Sequence, residues 1–159
     1  MKDGRLIVLF ICSGNVCRSP LGAAMLESDL RQEGISGVTV SSAGTLDMES
    51  RPASRYALEV GHDHGLDLSD HISRMVDENM LGEADIVVAV TPAHAEYLVE
   101  LCPSVEQKIV VLDVPDPYGL QFESYKAAYS QLRDGMPIVI DAVQNKLEEV
   151  RGRNEIGDR

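Results

Sequence analysis

Basic residues and cysteines are scarce in this 159-residue chain. Its 14 lysines and arginines face 26 acidic residues, for a formal charge of -12. This balance excludes a general binder of nucleic-acid backbones, which needs clustered cations. Only three cysteines occur, at positions 12, 17 and 102. Such an odd, sparse set excludes a disulfide scaffold, and a C-x4-C pair alone lacks the ligands of a structural zinc site. We therefore expect no nucleic-acid partner and no metal.

Long apolar runs are also missing. No stretch of about 18 apolar residues appears, and residues 1–14 lack the charged, apolar and small-residue order of a secretion signal. We therefore expect no membrane partner and a cytoplasmic protein, in which cysteines are more often catalytic or buried than bridged. With 44% hydrophobic and 25% charged residues, the chain has the composition of one globular domain. Nothing in the pattern specifies an oligomeric state.

Apolar, β-rich runs alternate with helical segments along the chain. The run "RLIVLFIC" predicts a strand that is buried on both faces and ends at Cys12, and Ser19-Pro20 predicts the N-cap and first turn of the next helix. Further strands are predicted at 37–44, 84–90 and 108–114, helices at 53–65 and 92–101, and from Phe122 one or two helices divided at 135–137 and frayed from Arg151. This alternation predicts an α/β, single-domain three-layer sandwich with a central four-stranded parallel sheet and helices on both faces.

The segment "CSGNVCRSP" at residues 12–20 contains a C-x5-R motif between the first strand and the first helix. Gly14 and Asn15 tolerate left-handed backbone, so the N–H groups of residues 13–18 can curl inward as an anion-binding nest. Arg18 offers a planar, bidentate fork for phosphoryl oxygens. Open parallel sheets bind ligands at this edge. The pattern predicts a loop for inorganic phosphate or another oxyanion, formed by Ser13, Gly14, Asn15, Val16, Cys17 and Arg18.

Cys12 is the candidate nucleophile of this loop. A thiolate is favoured where backbone N–H groups, a helix N-terminus and a cation meet. Its attack on phosphorus would form a cysteinyl-phosphate, an acid would protonate the leaving oxygen, and water would complete hydrolysis. No cofactor is needed, because Arg18 and the loop amides neutralise the developing charge. The plainer alternative is that Cys12 fills space, Arg18 is solvated, and the loop at most binds phosphate without catalysis.

Several segments carry a resemblance to a known family. "ICSGNVCRSP" resembles the active-site loop of the low-molecular-weight protein tyrosine phosphatases. "SSAGT" at 41–45, "HGLDLSDHISR" at 64–74 and "DPYG" at 116–119 resemble other segments of the same family. Gly119 stands where animal members have a second tyrosine, so the chain resembles the bacterial branch. The resemblance implies one phosphatase domain over residues 1–159 and a phosphoprotein substrate carrying phosphotyrosine.

The resemblance also implies roles for individual residues. Cys12 would be the nucleophile, Arg18 the ligand of the phosphate and transition state, and Asp116 the general acid. Asp116 also has a plainer explanation as a turn former in "VPDPYG". Asp113 is its nearest competitor, within the predicted strand.

Four further residues would support the loop. The Ser19 hydroxyl would stabilise the Cys12 thiolate, and Asn15 would hold the shape of the loop with help from Ser42 and His71. The local sequence also allows simpler explanations, in which Ser19 only caps a helix and His71 is only a partly buried polar residue.

The substrate pocket departs from the family pattern. The chain has no tryptophan, whereas many members place one in the loop after the second strand. Met48 or Leu46 stands in that stretch here, and Tyr118 is the candidate for the pocket entrance.

Two enzymatic alternatives share the loop. Related protein-arginine phosphatases carry threonine at the position of Val16, so this aliphatic residue favours phosphotyrosine over phosphoarginine. Arsenate reductases on the same fold need two further cysteines after the third strand, where this chain offers only Cys102.

Overall fold

A computed structural model describes residues 1–158 and contains a four-stranded sheet with the order β2-β1-β3-β4. All neighbouring strands are parallel. The strands are β1 (Leu6–Cys12), β2 (Val38–Gly44), β3 (Ile86–Ala89) and β4 (Ile109–Val111). From β1 the chain crosses first to one side of the sheet and then to the other, so a topological switch point lies at the carboxyl end of β1.

Helices cover both faces of this sheet. They are α1 (Arg18–Gln32), α2 (Arg55–Asp63), α3 (Glu78–Glu83), α4 (Pro92–Leu101) and α5 (Phe122–Gly157), with a short 3-10 helix at Pro103–Lys108. The predicted α/β sandwich with a four-stranded parallel sheet is confirmed.

Alternation along β1 divides the core into two halves. Leu6, Val8 and Phe10 pack with α1, α2 and α5, whereas Leu9 and Ile11 pack with α3 and α4. Because successive side chains of a strand point to opposite faces, one apolar run supplies both halves of the core. The burial of β1 on both sides fixes the position of Cys12 at its end.

The carboxyl-terminal segment differs from the prediction. Residues 122–157 form one continuous helix, with Pro137 inside it and no break at 135–137 or fraying at Arg151. An interior proline costs about 3 kcal/mol, because it removes a hydrogen bond and clashes with the preceding turn. Leu132, Met136 and Val139 are fully buried on either side of it, and their packing offsets this cost.

Two shorter predictions also need correction, and one helix was missed. The first helix begins at Arg18 after an N-cap at Cys17, so Ser19 is a residue of the first turn and not its cap. β4 ends at Val111, although the amides of Leu112 and Val114 still donate to the carbonyls of Ala89 and Val90. Asp113 therefore lies outside the strand. Helix α3 was not predicted, although Asp77 caps it by accepting a hydrogen bond from the Met80 amide.

Candidate active site

The loop between β1 and α1 curls around the sulfur of Cys12. Asn15 adopts a left-handed conformation with φ of 56°, which asparagine tolerates better than most residues. The Asn15 amide donates to Cys12 Sγ at 3.3 Å, and Ser19 Oγ lies 3.0 Å from the same sulfur. The buried thiol therefore has two polar neighbours, both of which can donate to a thiolate.

Asn15 is fixed by hydrogen bonds on every polar atom of its side chain. Its Nδ2 donates to Ser42 Oγ at 2.9 Å and to Ser19 Oγ at 2.8 Å. Its Oδ1 accepts from the Arg74 amide at 3.0 Å, and its backbone carbonyl lies 2.6 Å from His71 Nε2. The structure thus brings Ser19, Ser42 and His71, the residues named by the resemblance, together around Asn15, and adds Arg74.

His71 acts on this carbonyl as a neutral ring. Burial lowers the pKa of His71, the contact with the Asn15 carbonyl opposes the shift, and the charge of Arg74 lowers the pKa further. Because a carbonyl only accepts, Nε2 must carry the proton. His71 is therefore a hydrogen-bond donor to the loop at neutral pH without adding a positive charge.

Gly44 lies beside Cys12 in the register of β2 and β1. A Cβ atom at this position would clash with the backbone oxygen of Ser13. Only glycine lets β2 approach the phosphate loop so closely.

We expect Gly44→Ala to lower the free energy of unfolding by about 1–3 kcal/mol, because the loop backbone must shift to admit a methyl group. The same shift should disturb the arrangement of the loop around Cys12 and so reduce any chemistry that depends on it. Urea unfolding and turnover of para-nitrophenyl phosphate measure the two effects. Gly82→Ala is the matched control, since a methyl group at that position in helix α3 would meet nothing within 4 Å, and unchanged loop function in both variants would contradict the prediction.

Arg18 is a buried side chain, only 3% exposed. Its Nη1 donates to the Val114 carbonyl at 2.8 Å, and its Nη2 lies 3.4 Å from Ser13 Oγ and 3.6 Å from Asp116 Oδ2. The alternative of a solvated arginine is therefore wrong. The carbonyl anchors one edge of the guanidinium and leaves the other facing the loop and Asp116.

Cys17 differs from Cys12 in its surroundings. Burial raises the pKa of the Cys17 thiol, although hydrogen bonds with Ser54 and Tyr125 oppose the shift. Burial likewise raises the pKa of Tyr125 to about 12. Cys17 is therefore a protonated packing residue at neutral pH, with its sulfur 3.1 Å from Ser54 Oγ.

A cleft of about 110 Å³ opens above the loop. Its floor consists of residues of the loop, and its rim is formed by Leu46, Met48, Asp116 and Tyr118. The Tyr118 amide donates to Asp116 Oδ1 at 3.1 Å, so a turn holds the carboxylate at the rim. The structure thus places both predicted pocket residues, Met48 and Tyr118, beside Cys12 and Arg18.

Three contacts of the site were missed at the level of sequence. Arg18 contacts the backbone carbonyl of Val114, and a backbone contact does not depend on the type of residue at that position. Arg74 contacts Asn15 and also donates from Nε to the Ser42 carbonyl at 3.0 Å, and its only signal was its place at the end of "HGLDLSDHISR". His94 contacts Ser13 from helix α4. The two residues are far apart in the sequence, so no local pattern predicted this contact.

Two features are absent from the described residues 1–158. Within them, no cluster of three or more His, Cys, Asp or Glu side chains could hold a metal ion. No helix in the same range is long and apolar enough to cross a membrane.

Comparison with known proteins identifies the family. Residues 7–149 match the family model of the low molecular weight phosphotyrosine protein phosphatases. The chain is 34% identical over 150 residues to a protein-arginine-phosphatase of Geobacillus stearothermophilus, covering 89% of this chain and 95% of the relative. It is 30% identical over 132 residues to the low molecular weight protein-tyrosine-phosphatase Etp of Escherichia coli K12, covering 79% and 86%. The crystal structure of a low molecular weight protein tyrosine phosphatase from T. tengcongensis superposes with a TM-score of 0.77 at 34% identity, covering 89% and 99%. The chain therefore belongs to the low molecular weight phosphotyrosine protein phosphatase family.

Proposed function

We propose that the protein hydrolyses phosphotyrosine in phosphoproteins through a cysteinyl-phosphate intermediate. The observation that carries the proposal is the placement of Cys12 Sγ at the floor of the curled loop, 3.0 Å from Ser19 Oγ and 3.3 Å from the Asn15 amide nitrogen. These donors stabilise a thiolate, which is the nucleophilic form of cysteine. Residues 1–159 would form one catalytic domain, acting in the cytoplasm.

Arg18 and Asp116 would complete the reaction. The edge of the guanidinium that faces Ser13 and Asp116 can receive two phosphoryl oxygens, while the Val114 carbonyl fixes the other edge. Asp116 lies at the open rim, where it can protonate the leaving oxygen in the first step and accept a proton from water in the second. Amides of residues 13–18 would share the charge of the transition state.

The walls of the cleft favour an aromatic substrate over phosphoarginine. Leu46, Met48 and Tyr118 present apolar surface to a phenyl ring, and Val16 beneath them has no hydroxyl. The guanidinium of phosphoarginine carries several donors that need acceptors when they are buried, and Asp116 is the one carboxylate among the described residues that line this cleft. Arginine phosphatase activity stays the second candidate, because a relative of that name is 34% identical.

We expect kcat/KM for a phosphotyrosyl peptide to exceed that for the matched phosphoarginyl peptide by about tenfold or more, because only the first fills the apolar walls. Release of phosphate from the two peptides at equal length and charge measures the ratio. Val16→Thr should lower this ratio of kcat/KM values. Val40→Thr makes the same change in β2, outside the cleft, and should leave the ratio unchanged. A ratio below one in the wild-type protein would transfer the proposal to phosphoarginine.

The remaining alternatives have less support. An arsenate reductase needs a relay of further cysteines, whereas Cys102 lies at the end of α4 with its sulfur 3.4 Å from Ser104 Oγ. A non-catalytic phosphate-binding module would give no covalent phosphocysteine. Rapid quenching of the Asp116→Asn variant during turnover, followed by mass spectrometry, should trap that adduct on Cys12.

A further inference from the structure

His94 connects the phosphate loop to the N-terminus of helix α4. It lies in the first turn of α4, whose N-cap is Thr91. His94 Nε2 is 2.9 Å from Ser13 Oγ, and His94 Nδ1 is 2.7 Å from Thr91 Oγ1. Both ring nitrogens are therefore occupied, and the residue is only 8% exposed. This three-residue relay of Thr91, His94 and Ser13 ends inside the phosphate loop.

The contacts of the relay favour hydrogen-bond donation in one direction, from Thr91 to His94 and from His94 to Ser13. Thr91 Oγ1 accepts from the His94 amide at 3.3 Å, which leaves the threonine proton free to be donated to Nδ1. The neutral ring then carries its proton on Nε2 and donates it to Ser13 Oγ. Arg18 Nη2 also donates to Ser13 Oγ, at 3.4 Å. With both lone pairs of its oxygen used, Ser13 can only donate its own proton, and an oxyanion in the loop is the acceptor within the site.

We propose that His94 is a positioning residue of the phosphate loop, which orients the Ser13 hydroxyl toward the bound oxyanion and takes up a proton when that anion binds. The inference rests on the proposed function, since it assigns a regulation by pH to the same site. Protonation requires a rotation of the Thr91 hydroxyl. The Nδ1 atom gains a proton and donates it to Thr91 Oγ1, the threonine proton turns away from the ring, and Nε2 continues to donate to Ser13.

The charges around the ring set the direction of the pH effect. Arg18 faces His94 from α1 and Asp116 faces it from the loop after β4. Burial lowers the pKa of His94, the charge of Arg18 lowers it further, and Asp116 opposes both. An oxyanion bound beside Arg18 offsets the arginine charge and so raises the pKa of the ring. By linkage, anion affinity must then rise as the pH falls through the pKa of the anion-bound state.

Sulfate is the probe for this coupling, because its charge stays constant over the range of about pH 5 to 8 in which histidine titrates. The Cys12→Ser variant serves as the common background, so that the thiol does not contribute to the pH dependence. Calorimetry gives the dissociation constant at each pH, and repeated titrations in buffers of different ionisation enthalpy give the protons taken up. We expect affinity to rise about tenfold toward low pH, with uptake of up to about one proton.

His94→Gln removes the titration but keeps a donor amide for Ser13. In that variant the pH dependence should flatten while affinity at high pH stays within about threefold of the parent. His94→Leu should lose both the pH dependence and the hydrogen bond to Ser13 that maintains affinity at high pH. Ser13→Ala should weaken the binding of sulfate at every pH. His62→Gln, an exposed histidine of α2, is the control and should change nothing.

Two results would overturn the inference. One is a pH dependence in His94→Gln equal to that of the parent, and the other is a loop that takes up no sulfate at any pH. Turnover of para-nitrophenyl phosphate by the unaltered protein is measured separately. Its absence would refute the proposed phosphatase activity, whereas the sulfate titrations would still decide the role of His94.

Discussion

Replacing Cys12 with serine is expected to reduce turnover of para-nitrophenyl phosphate by about 10⁴-fold or more, because a serine hydroxyl is scarcely ionised at neutral pH. The fold and the affinity for phosphate should be retained, since serine is smaller than cysteine and the contacts from Asn15 and Ser19 remain possible. Steady-state kinetics measures the loss of turnover. Phosphate affinity is measured by calorimetry on the variant and compared with the inhibition constant of inorganic phosphate for the wild-type protein.

Cys102→Ser provides the matched control for that substitution. Cys102 is a free cysteine at the end of α4, outside the cleft, so its replacement should leave turnover within about twofold of wild type. Urea unfolding of both variants checks that the fold is intact. If the Cys12→Ser protein keeps more than about one per cent of wild-type turnover, the covalent mechanism is wrong.

The phosphate loop was predictable because its determinants are local. The run Leu6–Cys12 is apolar at every position, so the strand, its end and the position of Cys12 at the start of the loop follow from a few neighbouring residues. Gly14 and Asn15 indicated left-handed backbone. Asn15 adopts it, whereas Gly14 does not. The parallel sheet also follows from the alternation of strands and helices.

Contacts between distant segments were harder to predict. Val114 contributes a backbone carbonyl to Arg18, and His94 reaches Ser13 across 81 positions of the chain. Neither contact leaves a local pattern, because each depends on how the segments that follow β3 and β4 lie beside the loop that follows β1. The continuity of α5 through Pro137 has a similar origin, since tertiary packing outweighs the local preference of proline.

The acid loop combines both kinds of information. "VPDPYG" indicates a turn, and the structure adds that Asp116 Oδ2 lies 3.6 Å from Arg18 Nη2 at the rim of the cleft. A carboxyl group at this place can reach the oxygen that leaves phosphorus. The flanking residues Pro115 and Pro117 restrict the backbone around it, and the Tyr118 amide holds one of its oxygens.

If Asp116 protonates the leaving oxygen, Asp116→Asn should slow the hydrolysis of aryl phosphates with poor leaving groups by about 10²–10⁴-fold. Activated aryl phosphates should be affected least, because a stable phenolate leaves without a proton. The measurement is the rate of phosphorylation of Cys12 over a series of leaving groups, plotted against the pKa of the leaving phenol. A steeper line for the variant than for the wild-type protein supports general acid catalysis.

Asp113→Asn is the control for this series, since it makes the same change three residues earlier, at an exposed position beyond β4. The ion pair with Arg18 belongs to Asp116, so Asp113→Asn should retain the wild-type slope and nearly the wild-type rate. Parallel lines for wild type and Asp116→Asn would remove Asp116 from the protonation step, and a steep line for Asp113→Asn would assign that step to Asp113. A steep line for Asp116→Asn alone ties the acid to the rim of the cleft, where a leaving phenol must depart.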